Sequence, residues 1–159
     1  RDANLMITRM FTRQLSMNTK LQIVSREEIN ELMSSRNVDS FNRETFPNGI
    51  SLLRNKGIDG AVMGQVSRYT ERTGNALSVR EPASVAFEIY LLNVQNGAVI
   101  WSAAFDRTQK ALSENVLAVG SFLKGGGTWQ TGETLARLGI EEVVKRFPQS
   151  KTAKQESEN

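Results

Sequence analysis

The run "GSFLKGGGTWQT", residues 120–131, gathers the residue types best suited to chemistry. Gly120 and Gly125 are separated by four residues, as at the opening of a phosphate-binding P-loop, and Ser121 and Lys124 have the Ser-x-x-Lys spacing of a serine nucleophile with its lysine. A P-loop needs Gly-Lys-[Ser/Thr] at the start of a helix, where glycine amides and the helix dipole together hold phosphate. Here Gly125 is followed by Gly126, and "SENVLAVGSFLK", 113–124, has the periodicity of a helix that starts at Ser113 and stops at the glycines. Both motifs therefore fall at the electronegative C-terminal end of a helix, which suits neither phosphate nor a serine nucleophile. Three glycines close a helix and turn a corner without steric cost. Trp129 then either folds back over the corner or offers an anchor to a partner.

Elsewhere the chemistry is bounded by what the chain lacks. With no histidine and no cysteine, Ser-His-Asp and Cys-His nucleophiles, His/Cys zinc sites and thiol redox centres are excluded. Carboxylate, lysine, tyrosine and serine chemistry remain. The acidic cluster Glu27, Glu28 and Glu31 invites a metal or acid–base role, but its first two members fall in the first turn of a predicted helix, where negative charge complements the dipole. No catalytic, metal-binding or cofactor-binding residue is assigned. Twenty Lys and Arg against 17 Asp and Glu give a net charge of +3, dispersed along the chain, whereas a nucleic-acid face needs a clustered basic stripe. The 159 residues are 39% hydrophobic and 23% charged, and no apolar run approaches the roughly 18 residues of a membrane span. One soluble domain is expected over 1–148, followed by a polar, disordered tail over 149–159. The chain opens on Arg1 without a signal peptide, as a processed chain would.

Apolar residues three and four apart predict a helix over 2–17. "KLQIV", 20–24, has the alternation of a short strand, and Ser25 with Glu28 forms a capping box that starts a helix at 26. A polar connector over 37–48 leads to a short helix, 49–57, stopped by Gly57, and then to a strand over 61–71. The segment from 72 to 82 has the character of a long polar loop, and its Arg72, Arg80 and Glu81 make it a candidate contact surface, together with the Trp129 corner. The last helix begins at Thr131 or Gly132, buries Ala136, Ile140, Val143, Val144 and Phe147, and ends before Pro148.

Residues 84–109 carry the clearest local signal. Asn96-Gly97 is the preferred two-residue hairpin turn, which would set Leu92 opposite Trp101, Tyr90 opposite Ala103 and Phe87 opposite Asp106. In that register one face holds Val94, Leu92, Tyr90, Val99, Trp101 and Phe105, and the other holds Leu91, Ile89, Phe87, Val85, Ile100 and Ala104. A ribbon apolar on both faces needs helices above and below. The fold class expected is α/β, a three-layer α/β/α sandwich whose mixed sheet includes an antiparallel hairpin. Glu88, diagonal to Arg107 on one face, and Asp106, near Phe87 on the other, form a candidate polar cluster, and ion pairing is the simplest account of it.

Several phrases, "GIDGAVMGQVSRYTER", "ASVAFEIYLLNVQNGAVIWSAAFDRTQ", "LSENV" and "GGGTWQTGETLARLGIEEVVKRFP", resemble bacterial envelope lipoproteins with a TolB amino-terminal-like domain, the group that includes CsgG and LpoB. The likeness runs over nearly all of 1–148. It implies a non-enzymatic domain exported to the periplasm and tethered to the outer membrane through a lipidated cysteine upstream, with no catalytic residues to carry over. The pattern usually opens with a "VAVLPF"-like strand, whereas this chain begins inside the first helix; an absent strand would leave a sheet edge for another copy to fill. The segment 72–82 is too short and polar for the membrane-spanning hairpins of a secretion pore. The function expected is binding of a protein partner or envelope component. The alternatives are a small-molecule or peptidoglycan-fragment binder using Glu88, Asp106 and Arg107, and a structural subunit of a homo-oligomer.

Overall fold

A computed structural model of the chain describes residues 2–34, 46–74, 79–109 and 131–148. Helix α1, Ala3–Asn18, starts where the Asp2 carboxylate accepts the Leu5 N–H at 3.1 Å, and it buries Ile7, Phe11 and Leu15 at helical spacing. The expected strand over 20–24 is a correction. The segment has no ladder partner among the described residues, although the alternation is obeyed: Leu21 and Ile23 turn into the core while Val24 stays 40% exposed. Alternation fixes which side chains face inward, but a strand also needs a neighbour's backbone.

The Ser25 hydroxyl accepts the Glu28 N–H at 3.2 Å and starts α2, Arg26–Ser34, as the capping box predicts. Helix α3, Phe46–Asn55, begins three residues before the expected start because Pro47 is tolerated in a first turn. It closes at Gly57, whose φ of 72° lets the Ile58 N–H reach the Leu53 carbonyl at 3.1 Å.

Strands β1, Gly60–Thr70, β4, Ser84–Asn93, and β5, Val99–Thr108, form a sheet in the order β1-β4-β5. Among the described residues every strand pair is antiparallel. The expected loop from 72 to 82 is also corrected: its ends pair as a small ribbon, β2, Thr73–Gly74, with β3, Val79–Glu81.

The hairpin register differs from the expected one by two residues at the turn and by one beyond a bulge. Val94–Gly97 form a four-residue turn, with the Asn93 N–H donating to the Ala98 carbonyl at 2.9 Å, the Gly97 N–H donating to the Asn93 carbonyl at 2.7 Å, and Gly97 at φ 70°. Leu92 then pairs with Val99 and Leu91 with Trp101, so Ile100 is the extra residue of a bulge. Beyond it Phe87 faces Phe105, and Trp101 and Phe105 join Val85, Phe87 and Ile89 on one face instead of opposing them.

That face is covered by α1 and by α4, Gly132–Lys145. Ala136, Ile140, Val143, Val144 and Phe147 are buried, as their spacing predicts. Phe87 stacks on Phe105 at 5.3 Å, and Phe147 takes the edges of Trp101 and Phe11 at 4.9 and 5.8 Å. Gly139 admits the Phe105 ring so closely that a Cβ there would lie 2.6 Å from it. A second cluster, Met33, Ile50, Leu53 and Val94, packs α2 and α3 against Ala61, which projects from the opposite face of β1. Arg54 of α3 ties this cluster to the hairpin turn by donating to the Val94 and Gln95 carbonyls. The chain is thus an α/β domain with helices joined to both faces of its sheet.

Candidate functional site

The one-residue register difference decides how the polar candidates are distributed. Successive residues of a strand point to opposite faces, so Asp106 and Arg107 part company in either register, and the observed one puts Glu88 on the Asp106 side instead of the expected Arg107 side. The structure does not bring the three together. Glu88 accepts the Tyr90 hydroxyl at 2.5 Å, and this hydrogen bond is the main cause that pushes the Tyr90 phenol above its ordinary range. Asp106 pairs with the Arg68 guanidinium of β1. Arg107 crosses to α4, where it meets Glu142 at 3.1 Å, and its guanidinium lies 5.3 Å from the centre of the Phe105 ring.

Arg68 is the hub that sequence reasoning misses. Its Nε donates to the buried Ser84 hydroxyl at 2.5 Å, and Ser84 shares a 2.7 Å hydrogen bond with Thr108, so one polar chain from Asp106 through Arg68 to Thr108 links all three strands. In sequence Arg68 is an ordinary alternating position, and only the β1 bulge between Val66 and Arg68 sets it beside Ala86 and within reach of Ser84. Glu71 is a second omission. Its carboxylate accepts the Tyr69 hydroxyl at 2.6 Å and the Gly132 N–H at 2.9 Å, fastening the end of β1 to the first turn of α4. Partial burial pushes this carboxyl up, but the Tyr69 hydroxyl and the N–H groups of Gly132, Glu133 and Arg72 outweigh it, and the group titrates below the ordinary carboxylate range.

Of the contact candidates, Arg72 is half-buried between Glu71 and the small ribbon, and Glu81 is exposed opposite Thr73. The Arg80 side chain, the helix expected over 113–124, the "GSFLKGGGTWQ" run with Trp129, and the tail over 149–159 all lie outside the described residues. Among the described residues no group of acidic side chains is placed to hold a metal ion. Two shallow clefts, one between α1 and the start of α2 and one between the C-terminal ends of α1 and α4, stand apart from Glu88, Asp106 and Arg107.

Among the described residues the most exposed large apolar side chains of the sheet are Val99 and Ile100, at 57% and 58%, on the bulged start of β5. Among the described residues β5 is an edge strand, as is β1, on which Val62 is 42% exposed. Sequence patterning alone assigns Ile100 to a buried face, because the bulge that releases it has no local signature.

The sequence matches no family model and no curated relative. Solved structures do match. The PelC dodecamer from Paraburkholderia phytofirmans, 16% identical, superposes with a TM-score of 0.52 over 91% of this chain and 74% of that one. A variant of the same dodecamer in a second crystal form gives 0.51 over 91% and 76%. The LpoB C-terminal domain from Salmonella enterica is 20% identical, with a TM-score of 0.40 over 59% of this chain and 62% of that one. At these identities the likeness to PelC is one of fold, and it places the α/β arrangement described above among known architectures.

Proposed function

We propose that the chain is a non-enzymatic interaction module of an envelope lipoprotein, anchored at the periplasmic side of the outer membrane, that binds a protein partner through its sheet edge. The observation that carries this reading is the pair Val99 and Ile100, two large apolar side chains more than half exposed on a strand that is an edge among the described residues. An edge with free backbone groups and apolar side chains is a template for strand addition, in which main-chain hydrogen bonds supply affinity and alternate side chains supply specificity. Glu88, Asp106 and Arg107 are each engaged with a different neighbour, which favours this reading over a small-molecule or peptidoglycan-fragment site. Photo-crosslinking from position 100 in native envelopes tests it. A discrete protein adduct that disappears when Val99→Lys is added supports the proposal, and crosslinking no stronger than from exposed Met17 refutes it.

A second reading, self-assembly, draws on a separate observation. The sheet has an exposed apolar residue on each of its described edge strands, Val62 on β1 and Val99 with Ile100 on β5, so one copy's β5 could meet another's β1 head to tail. The structurally similar PelC is a dodecamer. Light scattering distinguishes the two readings: a defined oligomer that Ile100→Lys dissociates supports assembly, and a monomer at all concentrations removes it.

A further inference from the structure

We infer that the cleft between α1 and the start of α2 binds a phosphate-type oxyanion. The cleft, about 300 Å³, is lined by Arg9 and Arg13 of α1 and by Arg26 of α2. Arg9 and Arg13 stand four apart on one helix face, where like charges oppose each other, and the chain brings Arg26 to the same place. Among the described residues none of the three guanidinium groups has an ion-pair partner, whereas Arg68 and Arg107 on the sheet each do. Glu27 is the single carboxylate on the lining, so three cations face one anion.

The neutral groups are suited to the same ligand. Ser25 uses a lone pair to accept the Glu28 N–H, which leaves its own O–H to donate, and the half-buried Thr12 hydroxyl has no hydrogen-bond partner among the described residues. Guanidinium and hydroxyl groups carried by residues that line one cleft are the donor types that suit a phosphate, whose oxygens accept several charge-assisted bonds at once. Like charges on residues that line one cleft repel one another, and an anion bound there would relieve that repulsion. The ligand chemistry is a phosphate mono- or diester, which a free metabolite and a lipid headgroup share. This inference is independent of the sheet-edge proposal, since the cleft and β5 share no residue.

The test titrates the full chain with sodium phosphate, following amide shifts in ¹H–¹⁵N spectra against sodium chloride at matched ionic strength. Saturable shifts at residues 9–13 and 25–27 are expected with phosphate alone, about tenfold weaker binding in Arg13→Gln, and tighter binding in Glu27→Gln, which removes the opposing charge. Exposed Lys56→Gln should change nothing. Sedimentation with phosphatidylglycerol vesicles, and with phosphatidylcholine vesicles as control, identifies the source. Vesicle binding lost in Arg9→Gln/Arg13→Gln assigns the site to a lipid headgroup, and saturable phosphate shifts without vesicle binding assign it to a soluble phosphate ester. Shifts equal in chloride and phosphate, together with vesicle binding indifferent to the double variant, overturn the inference.

Discussion

Replacing Gly139 by alanine sets two effects of opposite sign against each other, and the structure decides which prevails. In the interior of a helix Gly→Ala ordinarily stabilises by about 1 kcal/mol, because glycine gives up more backbone freedom on folding. Here the new methyl would sit 2.6 Å from Phe105 Cδ1, 2.7 Å from Cγ and 2.8 Å from Cε1. A flexible side-chain tip could swing away, but Cγ is joined to the backbone through Cβ alone, and the ring stacks on Phe87, which is 1% exposed. Overpacking a core of this kind costs about 1–3 kcal/mol, and overlap with three ring atoms puts Gly139→Ala at the upper end. The net effect expected is a loss of about 2 kcal/mol, a fall of about 1 M in the urea midpoint for a domain of this size. Adding Phe105→Leu should recover part of it, with a coupling of more than about 0.5 kcal/mol between the two sites. A urea midpoint unchanged or raised in Gly139→Ala would refute the packing argument, because propensity would then have won.

Other perturbations probe the remaining contacts. Glu71 titrates below its ordinary range in the folded chain, so its contribution is present above the unfolded-state value and is lost as pH falls through the folded one; acid unfolding followed by circular dichroism should show a flatter acid limb in Glu71→Gln. Trp101→Ala should cost about 3 kcal/mol in urea unfolding, because the indole packs against Phe147 at 4.9 Å on the face covered by α1 and α4; a loss below about 1 kcal/mol would refute that packing. Glu142→Gln should change stability by less than about 0.5 kcal/mol, the range of an exposed ion pair. Glu88→Gln should lower the pH at which Tyr90 ionises, measured by the ultraviolet absorbance of the phenolate.

The helices were legible because their signals are local. Ser25 with Glu28, Gly57, and the stripe from Ala136 to Phe147 each state a boundary or a buried face within a few residues, and the structure places them accordingly. The strands at 61–71 and 84–109 were legible for their existence, and the hairpin for its antiparallel pairing, but neither the hairpin register nor the partner of the first strand was. Asn96-Gly97 predicts a two-residue turn, yet Val94 is wholly buried against Met33, Ile50 and Leu53, and that burial draws Val94 and Gln95 into a four-residue turn held by Arg54. A contact 40 residues away in sequence, Arg54 to the Val94 carbonyl, therefore bears on the register, and no window around the turn contains it. The segment 20–24 fails for the mirror reason, since its side-chain pattern is local while a ladder partner is not.

The same register governs how the candidate site is understood. Moving Phe105 opposite Phe87 takes Glu88 off the face of Arg107, where it is expected, and sets it on the face of Asp106; Asp106, Glu88 and Arg107 then engage Arg68, Tyr90 and Glu142 in turn. Each pair is satisfied within the fold, and the charge left without intramolecular partners among the described residues includes the three arginines of the α1–α2 cleft. Charges that a fold pairs internally hold strands and helices in place, as Glu71 does between β1 and α4. Groups that the fold leaves unsatisfied, whether the cleft arginines or the apolar pair on β5, are the ones with free energy still to gain from something outside the chain. On the proposed reading, binding at these places would be the work of the described surface, while Glu88, Asp106 and Arg107 would serve the fold.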